Sequence, residues 1–339
     1  HEARSTVVLM VTCFGTVGLL LWARGFLPVS TLVTAYAGGL LLHNASIVAG
    51  GSLNPWKFAL ATPTALLLLA LVARTRSRLL ATGVLLLLTA VSLLNDSRSF
   101  SGFCALTAVL VLYQSRPAGA PSRWRRYGQV ALAGGLAASA YVLITSLMEQ
   151  GYLGAELQLR TQTPIQQSGS LIAGGRPEWS ATFQLMQLNP WGYGLGVVPN
   201  SQDILVGRTG LDRLNIPTID GYAEHYMFGG SFKLHSVAAD LWSRFGVAGA
   251  VLAVVIAVVI VNGLSRALAS RSASALAVFV ASLALWDLAF GPIYTNLRDI
   301  TLAVGLLLSP RAVLPRPRPP ATQAWLDDAA PSPPGSRSR

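Results

Sequence analysis

Long apolar runs separated by short polar connections repeat along this chain of 339 residues. A bilayer core takes roughly 20 predominantly apolar residues per helix, within a range near 17 to 25. Nine stretches are candidates: 6–23, 28–49, 57–73, 78–95, 100–115, 128–148, 236–263, 272–291 and 296–314. An unpaired backbone amide is too costly in hydrocarbon, so each run closes its hydrogen bonds as a helix, not a lipid-exposed strand. The expected fold is all-α. It is a polytopic membrane protein of about nine transmembrane helices, with a large extracytoplasmic loop containing short helices. The expected regions are a six-helix membrane region at 1–148, the loop at 149–235, a three-helix membrane region at 236–314 and a disordered cytoplasmic tail at 315–339. Pro63 falls inside the third run, where a membrane helix tolerates a kink. Arg298 and Asp299 near the start of the last run make that span the weakest. The chain opens His1-Glu2-Ala3-Arg4, without an initiator methionine or a basic leader, and further spans are expected upstream.

Charge orients these runs. Only 12% of residues are charged, against about 25% in soluble domains. The net charge of +11 is nearly all arginine, since Lys57 and Lys233 are the only lysines. Arg74, Arg76 and Arg78 lie between spans three and four, and Arg116, Arg123, Arg125 and Arg126 between five and six. Arg266 and Arg271 lie between seven and eight, and Arg311, Arg316 and Arg318 follow span nine. With alternating spans all these clusters share one side, which the positive-inside rule makes cytoplasmic. Arg24 agrees and Lys57 dissents. Topology thus explains the basicity without nucleic acid. Cys13 and Cys104 both lie in apolar stretches and suggest neither a disulfide framework nor a metal site.

The long loop of about 87 residues concentrates the rare polar types of an apolar chain. Structureless loops of that length are uncommon unless they carry function. Short helices are expected in it, notably around 179–188. On the same face, Arg98 sits in the turn Asn95-Asp96-Ser97-Arg98-Ser99, where it either pairs with Asp96 or binds phosphate through its guanidinium fork. Arg176, in Gly174-Gly175-Arg176-Pro177-Glu178-Trp179, either pairs with Glu178 or is presented into a cavity. His235 opens span seven, as an interfacial capping residue or as a proton acceptor near neutral pH. Asp240 and Arg244 are spaced i,i+4 on that helix and can pair. Arg208, Arg213 and His225 are weaker candidates, and Glu224-His225 has no second ligand cluster to make a metal site. Asn44-Ala45-Ser46 matches a glycosylation acceptor but lies too close to a span to weigh. No Walker A stretch is present. Gly192-Tyr193-Gly194-Leu195-Gly196 lacks the flanking strand and helix of a dinucleotide site and reads as a close-packed turn.

These residues carry a resemblance. Gly175-Arg176, Trp179 and then Asn189-Pro190-Trp191-Gly192-Tyr193-Gly194-Leu195-Gly196 resemble the "GR…W…hP…G.G" signature of the O-antigen ligase and polymerase superfamily. His235 followed by Gly246 is similar to that family's "HN…E.G" signature, and Ser97-Arg98-Ser99 to its "SR" turn. The resemblance covers roughly 79–262. Two positions depart from it: Ser236 stands where the family has asparagine, and Arg244 where it has an acidic residue.

The resemblance implies an enzyme that moves a glycan from a polyprenyl-diphosphate carrier onto an acceptor hydroxyl at the outer face of the cytoplasmic membrane. It implies no cofactor, metal or nucleotide sugar. The partners are the lipid-linked glycan donor, a glycan, lipid or other hydroxyl-bearing acceptor, and the bilayer, with no nucleic acid. Arg98 and Arg176 are then expected to hold the departing diphosphate and His235 to take the acceptor's proton, with inversion at the anomeric carbon. Arg208, Arg213, Arg244, Trp179 and His225 are expected to line the substrate site. The rival class is a non-enzymatic transporter, flippase or assembly scaffold. A transporter would hide charge deep in several spans and show paired repeats, and neither is evident in this sequence.

Overall fold

The computed structural model describes residues 2–114, 176–214 and 221–308, with scattered positions between 128 and 166. Most of span six, most of the loop ahead of 176 and the C-terminal tail therefore lie outside the described residues. Among the described residues every regular element is helical: α1 Glu2–Ala23, α2 Val29–Ala49, α3 Ala61–Thr75, α4 Arg78–Leu94, α5 Arg98–Tyr113, α6 Glu178–Leu188, α7 Ser201–Asp212, α8 Val237–Ala269, α9 Ala275–Phe290 and α10 Ile293–Leu307. Two π-helical turns occur, Trp56–Leu60 leading into α3 and Tyr222–Met227 ahead of α8. Among the described residues four helical stretches are long and apolar enough to cross a membrane: α1, α2, Trp56–Thr75 and α8. The apolar helices α4, α5 and α9 are shorter. The surface agrees with an apolar surrounding, for Val8, Val11, Phe14 and Trp22 of α1 and Val251, Val254 and Val258 of α8 all face outward.

Helix α9 is the centre. It packs against α3, α5, α8 and α10, and it is apolar nearly all round, as a helix covered on every side must be. Phe279 on α9 is fully buried and meets Phe100 of α5 edge-on, ring centroids 5.4 Å apart. In α10, Asp299 is buried, and Arg298 Nε lies 4.0 Å from its carboxylate.

Proline in α3 shows how such a bundle satisfies its backbone. Pro63 has no N–H to give the carbonyl four residues back. The buried side chain of Asn44 on α2 supplies that hydrogen, its Nδ2 donating to Ala59 O at 2.6 Å. Burial of Asn44 also agrees with discounting it as a glycosylation acceptor.

The two ends of the bundle differ chemically. At one end Arg24 donates to Gly305 O and Leu308 O at 2.7 and 2.9 Å. There Arg78 reaches Gln114 O and Arg271 O, Arg271 reaches Tyr113 O, and Arg74 reaches Thr34 Oγ1. The opposite end gathers Glu2, the 54–59 segment, the 95–98 turn, the start of α8 and the α9–α10 corner. Of the arginines read from the sequence as one-sided, Arg24, Arg74, Arg78 and Arg271 are found together at one end, and those at 116–126 and 311–318 lie outside the described residues.

One interaction binds the loop to the bundle. Helix α8 is broken at Gly246, whose φ of 63° and ψ of −142° are non-helical. The turn at 189–194 fills the break. Tyr193 N and Gly194 N donate to Ser243 O at 2.8 and 3.1 Å, and Trp242 Nε1 donates to Pro190 O at 3.0 Å. Glycine is required on both sides. A Cβ on Gly246 would lie 2.2 Å from Trp191 O, and one on Gly192 would lie 2.5 Å from Trp242 O. Both glycines also hold positive φ, where a side chain is strained. Gly246→Ala is therefore expected to lower unfolding stability in detergent by more than about 1 kcal/mol. Gly38→Ala on α2, with nothing within 4 Å of its added Cβ, serves as the neutral comparison. Equal melting temperatures for the two variants would contradict the packing described.

Candidate functional site

Helix α6 places the first side chains. Trp179 Nε1 donates to Ala289 O at 2.7 Å, which fastens α6 to the end of α9. On its other side α6 packs on α7, where a Cβ on Gly210 would fall 2.6 Å from Ser180 O. So close a helix contact sets the direction of Glu178, in the first turn of α6 and buried. Tyr222 and Tyr226 come from the second π turn. Tyr222 Oη donates to Glu178 Oε1 at 2.7 Å. Burial first, and then the adjoining Glu178 carboxylate, push the Tyr222 phenol well above the ordinary tyrosine range, with Arg176 pulling the other way. Tyr222 thus keeps its hydrogen and donates it to Glu178 as a hydrogen bond.

His235 completes the cluster. Its backbone sits in the left-handed region at φ 51°, a conformation that costs on the order of 1–3 kcal/mol for a residue with a side chain. Its neighbours hold it there. The imidazole stacks on Tyr226 with centroids 4.6 Å apart and planes 15° from parallel. Its Nδ1 lies 3.0 Å from Lys233 O and 3.9 Å from Glu178 Oε1. A carbonyl only accepts, so Nδ1 carries the hydrogen and Nε2 presents its lone pair. No described residue hydrogen-bonds Nε2. A proton taken there makes an imidazolium beside the Glu178 carboxylate. The second oxygen of that carboxylate, Oε2, is buried without a hydrogen-bond partner among the described residues, as is Oδ2 of Asp287 on α9. The charge of Arg176 lies within electrostatic reach of Tyr222, Tyr226 and Asp287.

The structure therefore brings together Arg176, Trp179 and His235 of the residues expected from sequence. Of the two alternatives for Arg176, the ion pair with Glu178 is not formed: Glu178 faces Tyr222 and His235 instead. Arg98, at the head of α5, lies at the same end of the bundle and pairs with Asp96 at 3.5 Å. Arg208 pairs with Glu224 across the packing of α7 on the second π turn. Arg213 ends α7 and is exposed, and the exposed ring of His225 lies over Gly221. Among the described residues no group of His, Cys, Asp and Glu is placed to hold a metal ion.

Arg244 is buried at 5% exposure, and its guanidinium is turned wholly to protein. Nη1 lies 3.3 Å from Asp240 Oδ1. Nη2 reaches Phe232 O at 3.2 Å and Glu2 Oε1 at 3.3 Å, and the group lies over the Tyr294 ring at 5.4 Å. Asp240 in turn accepts from Leu234 N and Ile293 N at 3.0 and 3.1 Å. This clasp ties α1, α8, the α9–α10 corner and the strand of chain ahead of His235.

Sequence reasoning passed over Glu178, Tyr222, Tyr226 and Asp287 as site residues. The signals were present but slight: a rare acid beside Trp179, and two tyrosines four apart around Glu224-His225. No protein-family model, curated protein or solved structure matches the chain. Functional assignment then rests on the residues themselves.

The clasp makes a prediction. Arg244→Ala leaves Asp240 buried without its cation and is expected to cost about 3–5 kcal/mol, read as a lowered unfolding midpoint in detergent. Pairing it with Asp240→Asn restores part of that loss. An unchanged midpoint for Arg244→Ala would show that the clasp has no structural weight.

Proposed function

We propose that this protein is a membrane-embedded transferase that moves a glycan from a polyprenyl-diphosphate carrier onto an acceptor hydroxyl. The observation that supports it most is His235. The imidazole of His235, carried on backbone in the left-handed region, is stacked on Tyr226, tied through Nδ1, without a described hydrogen bond at Nε2 and set beside a buried carboxylate, with Arg176 within electrostatic reach of the cluster. A base, a group to stabilise its charged form and a cation are the parts such a transfer needs.

In this reading the acceptor oxygen attacks the anomeric carbon and its proton passes to His235 Nε2. The bond from that carbon to the phosphate oxygen breaks with its electron pair, and the diphosphate leaves toward Arg176. Arg98, from the same end of the bundle, is the second cation, and it gives up its pair with Asp96 to meet the diphosphate. Attack opposite the leaving group inverts the anomeric centre. A diphosphate leaves without protonation, so no second acid is required. Glu178 steadies the imidazolium, and Tyr222 holds Glu178 in place. Positive residues favour the cytoplasm, so the arginine end faces inward and the His235 end outward, with the chain traversing the bilayer about nine times.

A broken helix also occurs in transporters, where half-helix ends coordinate the cargo. In α8 the end carbonyl at Ser243 is already satisfied by Tyr193 and Gly194, which favours a structural break and the transferase reading.

His235→Ala is expected to lower transfer about 10²–10⁴-fold in membranes supplied with a defined polyprenyl-diphosphate glycan, with membrane insertion unchanged. Undiminished transfer by the inserted variant would remove His235 from the chemistry.

A further inference from the structure

At the arginine end, away from the His235 cluster, a cavity of about 300 Å³ opens between α3, α4, α5 and α9. Its rim carries Arg76, Arg78 and Arg271 with the hydroxyl residues Ser77 and Ser272, and its floor is apolar, formed by Leu69, Val72 and Val111 among others. None of the described lining residues is acidic. Two of the three arginines are held in the left-handed region, Arg76 at φ 54° and Arg271 at φ 55°, which is uncommon for residues other than glycine. Backbone carbonyls help position two of the guanidinium groups. Arg78 donates to Gln114 O and Arg271 O, and Arg271 donates to Tyr113 O while lying 4.9 Å from the Tyr113 ring. Three arginines are thus gathered around one small cavity whose described lining holds no carboxylate.

We infer that this cavity binds an anionic phosphate group, and that its apolar floor assigns the phosphate to a lipid headgroup whose glycerol and upper acyl chain lie against Leu69, Val72 and Val111. The fork of arginine suits bidentate bonds to phosphate oxygens, and basic pockets between membrane helices bind acidic headgroups in this way. The site concerns anchoring in one leaflet and is independent of the glycan-transfer reading.

The test uses the full chain in three preparations: vesicles of phosphatidylcholine, vesicles of phosphatidylcholine with phosphatidylglycerol, and the first kind with inorganic phosphate added. Phosphatidylglycerol is expected to raise the thermal unfolding temperature in a saturable way. Arg76→Asn removes one charge at a backbone conformation that asparagine accepts, and should weaken the apparent affinity about fivefold. Ser272→Asp puts a carboxylate in the rim and should abolish the response, whereas Lys57→Gln at the opposite end should leave it unchanged. No response to phosphatidylglycerol, or wild-type responses from both Arg76→Asn and Ser272→Asp, would overturn the inference. An equal response to inorganic phosphate in phosphatidylcholine would overturn the lipid assignment.

Discussion

The docking of the 189–194 turn into the break of α8 is the contact on which the rest of the arrangement depends. A helix interrupted in an apolar surrounding exposes carbonyls that no water satisfies, at several kcal/mol per group. Here the turn supplies the donors, so the break is stable only with the loop in place. The same contact draws α6 toward α9, and with it Glu178 toward His235. Gly192 and Gly246 permit this because two backbones approach too closely for any Cβ between them.

Around that contact, charge is sorted by end. Arginines at one end bond mainly to helix-terminal carbonyls. At the other, acids are paired between elements: Glu2 with Arg244 and Glu178 with Tyr222 over long stretches of sequence, and Asp287 with Asn296 across the α9–α10 corner. Burying ionised groups is tolerated only when each meets partners, and Asp240 meets three, from Leu234, Arg244 and Ile293. Three carboxylate oxygens, on Glu178, Asp287 and Asp299, lack a hydrogen-bond partner among the described residues, and Glu178 faces His235.

Much of this was legible in the sequence, and the reason is periodicity and local spacing. Apolar runs announced the helices, although α5 and α9 end at 16 residues each and α10 at 15. The short helix around 179–188 was expected and α6 is found at Glu178–Leu188. Asp240 and Arg244 were readable as an i,i+4 pair. What was not legible depends on long-range contact. Nothing local says that Gly192 meets Gly246, that Asn44 serves the carbonyl opposite Pro63, or that Glu178 turns to Tyr222 and away from Arg176. Arg244 illustrates the difficulty: its spacing identified one partner, but only the fold reveals Glu2 and Phe232 as the others.

Glycan transfer at the outer leaflet requires the two ends of the bundle to face opposite sides of a membrane, with the His235 end outward. Thiol labelling of intact cells addresses this directly. With Cys13 and Cys104 replaced by serine, single cysteines are placed at the exposed Ser201, near the site, and the exposed Ser270, beside the arginine cavity. A maleimide that does not cross membranes should label Ser201→Cys in intact cells and Ser270→Cys only after the cells are opened. The reverse pattern, or equal labelling of both in intact cells, would contradict the account.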